Sequence, residues 1–259
     1  MKQRIITAVI ALLVLLLVLF VVPQQIAMLV IVAVMLVGAW EWSAFLRLSG
    51  NVGRIVYVIA IGALLAGVSL LPVDVNLIFE VSLVAWMGAL IWTFFFPTPI
   101  PAVVRWLAGS LVLVPLYLAL IKLYNAGPMT LLFALLIVWV ADSGAFFAGK
   151  TMGRVKLAPS ISPGKTWEGV IGGLLAVVLL TLLRSIWVDT DLAVFVPFCL
   201  AVACLSVVGD LTVSMFKRTT GLKDSGSLFP GHGGVLDRID SIAAATPMFA
   251  LGLSWVGLQ

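Results

Sequence analysis

Charge is scarce in this sequence. Of 259 residues only 10% are Asp, Glu, Lys or Arg, while 63% are hydrophobic. Soluble domains carry about 25% charged residues. A water-compatible surface for the whole chain is therefore excluded, and lipid must be the solvent for most of it. Histidine is limited to His232, which excludes a multi-histidine metal cluster. The two cysteines, Cys199 and Cys204, lie in one apolar run, which speaks against a disulfide framework and leaves them as packing residues. Internal repeats are also missing, and the charge gathers at one interface. Both facts count against a transporter or channel with related halves around a midplane site.

What is present is a succession of apolar runs. About twenty apolar residues cross the hydrocarbon core as a helix, and nine candidates appear: 5–22, 26–46, 55–71, 77–96, 103–121, 130–148, 169–188, 192–209 and 242–258. The first follows Lys2 and Arg4 and has no small-residue cleavage site, so it reads as a retained span and not as a signal peptide. In the second, Glu41 stands between Trp40 and Trp42, as an interfacial residue in an aromatic belt would. The expected fold is all-α: a polytopic integral membrane protein of about nine transmembrane helices. Residues 1–128 form an N-terminal set of helices. Residues 129–259 form a C-terminal catalytic region with two functional cytoplasmic loops, 149–168 and 210–240.

The net charge of +4 and pI near 9.3 do not imply nucleic acid, because membrane proteins retain Lys and Arg in cytoplasmic loops. With the N-terminus inside, 13 of the 15 basic residues fall on the inner side, and only Lys122 and Arg184 fall outside. The positive-inside rule does not govern acids. Glu41, Asp142, Glu168, Asp210, Asp224, Asp237 and Asp240 lie on or near the inner side, and topology leaves them unexplained. Acids in or at the ends of spans, such as Asp142 and Asp210, are functional candidates because their burial is costly.

If the helix from 192 continues past Asp210, then Asp210, Ser214 and Lys217 share a face at i, i+4 and i+7. Asp237, Asp240 and Ser241 share a face at the start of the last helix. Carboxylates at two helix ends with a Gly-rich turn between them suit a hard cation, and Mg²⁺ typically takes one or two carboxylates plus phosphate oxygens. Lys217, Arg218, Lys223 and Arg238 would then face the remaining phosphate charge. In the other loop, Gly164-Lys165-Thr166 has Pro159 where a P-loop needs its first Gly, and no strand precedes it. A P-loop is rejected. The expectation is a helix start, with Ser162 as N-cap and Pro163 at N1, whose free N–H groups and Lys165 form an anion site. His232 is placed to contact phosphate or donate a proton.

The run Ser214-x-x-Lys217-Arg218-x₄-Lys223-Asp224-x-Gly226-x-x-Phe229-Pro230-x-His232-Gly233-Gly234-x-x-Asp237-Arg238-x-Asp240 resembles the signature of the phosphatidate cytidylyltransferases, also called CDP-diacylglycerol synthases. Asp142-Ser143-Gly144-Ala145 and Ser162-Pro163-Gly164-Lys165-Thr166-Trp167 resemble two upstream motifs of that family. One position departs: Val213 stands where the family commonly has Glu.

The resemblance implies transfer of a cytidylyl group from CTP to phosphatidate, giving CDP-diacylglycerol and pyrophosphate for phospholipid synthesis. It implies Mg²⁺, with a second cation as an option, and phosphatidate taken from the bilayer. A homodimer and a multi-pass place in the inner (plasma) membrane are implied as well. Metal ligation is expected from Asp210 and Asp237, with Asp142 and Asp240 in reserve. Catalytic roles are expected for Lys217, Arg218, Asp224, His232, Arg238 and Asp240, and substrate contacts for Ser162, Lys165, Thr166, Ser214 and Lys223. A CTP-dependent lipid kinase, or another lipid-linked phosphotransferase, is the alternative.

Overall fold

A computed structural model describes residues 2–48, 50–228 and 233–253. In chain order the described residues form α1 (Lys2–Phe20), α2 (Gln24–Trp42), a 3₁₀ turn (Ser43–Leu46), α3 (Gly50–Leu70), α4 (Val75–Phe94), α5 (Ala102–Ala126) and α6 (Pro128–Met152). A hairpin of β1 (Lys156–Ala158) and β2 (Ser162–Thr166) follows, then α7 (Trp167–Arg184), α8 (Leu192–Thr219) and α9 (Leu236–Gly252). Each expected span overlaps a helix, the last of them only over 242–252, since 254–258 lie outside the described residues. Among the described residues seven helices, α2 to α8, are long and apolar enough to cross a membrane. The fold is all-α and multi-pass. In α1 the qualifying apolar stretch is Val9–Phe20, and α9 has 17 residues, so neither meets that length among the described residues.

Local signals set the helix ends. Asp74 caps α4, accepting from the N–H groups of Asn76 and Leu77, and Asp191 caps α8 through the N–H of Ala193. Such caps satisfy N–H groups that the first helical turn leaves without partners. Pro128 opens α6 from the first turn, where its missing N–H costs nothing.

Burial sorts the helices into a shell and a centre. Only 17% of the apolar window of α3 and of α4, and 22% of that of α7, is covered by protein, against 50% for α5 and for α8. The innermost element is α9, which packs on α8, α5, α4 and α6. Its residues 240–252, Met248 apart, are buried. Three consecutive alanines, Ala243 to Ala245, lie in this stretch, and small side chains let neighbouring backbones approach closely. The helix that opens with Asp237 and Asp240 is thus the one least exposed to lipid.

Three sequence expectations change here. The helix expected to start at Ser162–Pro163 instead starts at Trp167, because Ser162–Thr166 pairs antiparallel with β1, Thr166 opposite Lys156 and Ser162 opposite Ala158. Pro163 lies between the paired positions of a two-stranded hairpin, where a strand tolerates proline. The N-cap is Thr166, whose Oγ1 accepts from the Gly169 N–H at 3.1 Å. Secondly, neither long loop is a loop throughout: α6 runs to Met152, the hairpin follows, and α8 runs ten residues past Gly209 to Thr219. Thirdly, Glu41 is not an interfacial residue. It is 6% exposed and the neighbouring Trp42 is fully buried, with its indole N–H donated to the Arg105 carbonyl at 2.9 Å.

Candidate active site

Because α8 continues past Asp210, the expected face forms. Ser214 donates its hydroxyl to Asp210 Oδ1 at 3.1 Å, one turn back. Asp210 Oδ2 takes the ammonium of Lys165, from β2, at 2.7 Å. Further along the same face, Lys217 turns to α9. Its Nζ donates to Asp237 Oδ1 at 2.8 Å and lies 3.7 Å from Asp240 Oδ2. The two helices meet closely at Gly209, where a Cβ would overlap the carbonyl oxygen of Asp240. From α6, Asp142 receives the hydroxyl of Ser241 and lies within the fields of Asp210 and Lys165. Three helices and the hairpin therefore bring Asp142, Asp210 and Asp240 together with Lys165 and Lys217.

Asp237 has a second set of contacts. Its Oδ2 accepts from the backbone N–H of Ser225 and of Gly234, both at 2.9 Å. One carboxylate thus ties the first part of the 220–235 segment, its last part and α8 to one point. Burial pushes the Asp237 carboxyl up, but the Lys217 hydrogen bond, the Gly234 amide and the Ser225 amide together hold it below the usual carboxylate range.

Beneath this loop sits Glu41, a residue without a functional role in the sequence expectations. Its Oε1 accepts from the Val235 N–H at 2.9 Å. Its Oε2 accepts from the Leu236 N–H at 2.7 Å and the Ser225 hydroxyl at 3.0 Å. The Val235 and Leu236 groups belong to the start of α9, so a side chain almost 200 positions earlier caps that helix, as an anion at a helix N-terminus should. Gly226 and Gly234 are pressed against the same carboxylate, and a Cβ on either would collide with it. A side chain at either position would have to displace the Glu41 carboxylate from its hydrogen bonds. One signal could have found Glu41: an acid inside an apolar run is costly wherever it occurs.

The remaining expected residues divide. Arg218 is at the site's edge, its Nε donating to the Ile161 carbonyl in the hairpin at 3.0 Å. Thr166 is buried as the cap of α7 and Ser162 is half-buried in β2. Lys223 and Asp224 are exposed, as is Arg238. The expectation for His232 lies outside the described residues. Val213 is fully buried in the apolar core. Among the described residues two acids are buried at this end of the bundle, Glu41 from α2 and Asp240 from α9.

The donor set suits a hard cation, since the converging ligand groups are carboxylate and hydroxyl oxygens. Among the described residues no three acidic, His or Cys side chains converge on one metal position. A cation that draws half its ligands from phosphate needs no such cage. With Asp237, which holds Lys217, four carboxylates and two ammonium groups leave a formal charge of −2, which a divalent ion would balance. Asp210 is the more accessible acid, its side chain 29% exposed against 9% for Asp237.

The family model that matches the chain is that of the cytidylyltransferase family, over residues 2–256. The phosphatidate cytidylyltransferase of Pseudomonas aeruginosa is 40% identical over 264 residues, covering 98% of this chain and 97% of the relative. That of Haemophilus influenzae is 35% identical over 283 residues, covering 96% and 97%. That of Staphylococcus aureus is 46% identical over 120 residues, 46% of each chain.

Proposed function

The chain belongs to the cytidylyltransferase family, and from that premise we propose that it transfers the cytidylyl group of CTP to phosphatidate, giving CDP-diacylglycerol and pyrophosphate. One observation carries the reading. Asp210 holds Lys165 and Asp240 lies beside Lys217, with Asp142 in the field of Asp210 and Lys165, all at one end of a membrane bundle. That is the arrangement needed where two polyanions must meet beside lipid.

In the reaction an oxygen of the phosphatidate phosphate attacks the α-phosphorus of CTP. The bond from that phosphorus to the β-phosphate oxygen breaks, and pyrophosphate leaves with the electron pair. The attacking phosphate is already anionic near neutral pH, so it needs little help from a general base. The barrier is electrostatic, and fixed cations aimed at the developing charge are the remedy. Lys165 can exchange Asp210 for a phosphate oxygen because both side chains are about one-quarter exposed. Lys217 holds its place between Asp237 and Asp240 and supplies a fixed positive field. Arg218, Lys223 and Arg238 stand at the rim for the triphosphate, with Ser162 and Ser214 as hydroxyl donors.

Mg²⁺ would be held by Asp210, with Asp142 and Asp240 beside it, and would neutralise phosphate oxygens as a Lewis acid. Asp237, with three donors on a carboxylate of about four lone-pair sites, has one direction left for such a role. We place the charged end on the cytoplasmic side, where CTP is available, with the N-terminus on that side and α1 and α9 completing nine passes. A homodimer in the inner membrane is the corresponding assembly.

The test uses purified protein with phosphatidate and CTP labelled at the α-phosphorus. Label should enter lipid in a Mg²⁺-dependent manner, with pyrophosphate released in equal amount. Transfer of label from γ-labelled CTP alone would instead identify a lipid kinase and overturn the reading.

A further inference from the structure

Next to the acidic cluster lies a cavity of about 340 Å³ that the chemistry above does not use. Its walls come from the end of α4 (Leu90, Phe94), the tip of the hairpin (Leu157, Ile161), the start of α7 and one face of α8. That α8 face consists of Cys204, Val207, Val208 and Leu211, the i, i+3, i+4, i+7 set of a helix. The acidic face of the same helix, Asp210, Ser214 and Lys217, adjoins it. No lysine, arginine or acid lines the cavity. It offers no charge to a triphosphate.

Its position fits an amphiphile. From Leu211, the neighbour of Asp210, to Cys204 is about 10 Å along the helix axis at 1.5 Å per residue. The cavity therefore leads away from the charged end, about a third of the way through a hydrocarbon core of roughly 30 Å. The hairpin joins the two regions. Its tip closes the cavity with Ile161, whose carbonyl holds Arg218, and its second strand delivers Lys165 to Asp210. An anionic head at Lys165 and Arg218 would leave its chain facing Leu211 and Val207. The volume is at the small end of ligand pockets, about 300–1,000 Å³, which suits one segment of a hydrocarbon chain.

We infer that this cavity seats the part of one phosphatidate acyl chain nearest the head group, and so aligns the lipid phosphate with the Lys165–Asp210 pair. The inference rests on the reaction proposed above. It makes chain contact part of substrate selection, with Cys204 on the wall where the chain passes.

Cys204 provides the test, since it is exposed while Cys199 is buried. The rate at which a maleimide labels Cys204 in detergent-solubilised protein should fall at least fivefold with long-chain phosphatidate. Phosphatidylcholine of the same chains should protect far less, because its head carries no net charge for the lysines. Equal protection by both lipids would mean that any bilayer lipid fills the groove, and would overturn the inference. A Cys204→Trp variant, which fills the cavity from its rim, should lower the ratio of kcat/KM for long-chain over short-chain, water-soluble phosphatidate at least tenfold. An unchanged ratio would also overturn it. If the unaltered protein turns over neither lipid, the proposed reaction has failed, and the labelling result still decides about the chain seat.

Discussion

The two lysine–carboxylate pairs of the site have almost the same length and opposite surroundings. Lys217 and Asp237 are 2.8 Å apart with side chains 10% and 9% exposed. Lys165 and Asp210 are 2.7 Å apart with side chains 25% and 29% exposed. Distance does not separate them, but what stands behind each pair does. Asp237 also holds two loop amides, and that loop rests on Glu41. Asp210 has one further partner, the Ser214 hydroxyl one turn back on its own helix. The first pair is a joint in the frame. The second can be opened at little cost, which a site that admits phosphate requires.

The sharpest way to break this comparison is to remove one member of each pair and compare stabilities. Asp237→Ala leaves the Lys217 ammonium without its closest carboxylate and two backbone N–H groups without their acceptor. Breaking a buried pair in this way costs about 3–5 kcal/mol. Denaturant or thermal unfolding in detergent should show a loss of that size. A loss as small as that of a surface pair would mean that the joint is not closed.

Glu41 comes next in expected effect. Glu41→Ala deprives Val235, Leu236 and Ser225 of their acceptor, and stranded buried donors cost about 1–3 kcal/mol each before relaxation. A net loss of about 2–3 kcal/mol is expected, with a fall in turnover at saturating substrate because the start of α9, which carries Asp237, and the loop it holds are no longer fixed. Glu41→Gln keeps one carbonyl oxygen and should recover about half of both. If alanine and glutamine behave alike, the carboxylate is not the anchor described here.

These anchors show where the sequence was legible. Spacing put Asp210, Ser214 and Lys217 on one face only on the condition that the helix continued, and 210–240 was expected as a loop, so the run of α8 to Thr219 was half legible. The span positions followed from hydropathy, and the acidic residues stood out because positive-inside bias cannot explain them. The hairpin was not readable. Ser162-Pro163 carries the same local signal as a helix start, and only pairing with Lys156–Ala158 decides against it. Glu41 was missed because its flanking tryptophans suggested an interface. Its partners are 184 to 195 residues away, and no local pattern encodes so distant a contact. The partner of Lys217 was equally remote: spacing placed it near Asp210, whereas tertiary packing pairs it with Asp237.

A smaller effect comes from pH. The Asp237 carboxyl is held below its usual range in the folded protein. Its contribution to stability is therefore present above the unfolded carboxylate value of about 3.9 and is lost as pH falls through the lower, folded value. Between pH 7 and 5 this joint should add no slope to stability. Below about pH 4 the unaltered protein should lose stability more steeply than an Asp237→Asn variant, as followed by tryptophan fluorescence. Parallel curves would remove Asp237 from the acid response.

The smallest effect on stability belongs to the open pair, and there the comparison meets function. Lys165→Met keeps the length and apolar stem of the side chain while removing its ammonium. Solvent-exposed pairs contribute about 0–1 kcal/mol, and this one, a quarter exposed, should move the unfolding midpoint far less than the buried pair does. Cytidylyl transfer should nevertheless fall at least about a hundredfold, the usual consequence of deleting one charge-stabilising donor. Raising the Mg²⁺ concentration should restore little of it, because the missing group serves the phosphate and its loss leaves Asp210 more available to the ion. A variant that unfolds but retains turnover per folded molecule would reverse the assignment, making Lys165–Asp210 the frame and leaving Lys217–Asp237 as the pair that opens.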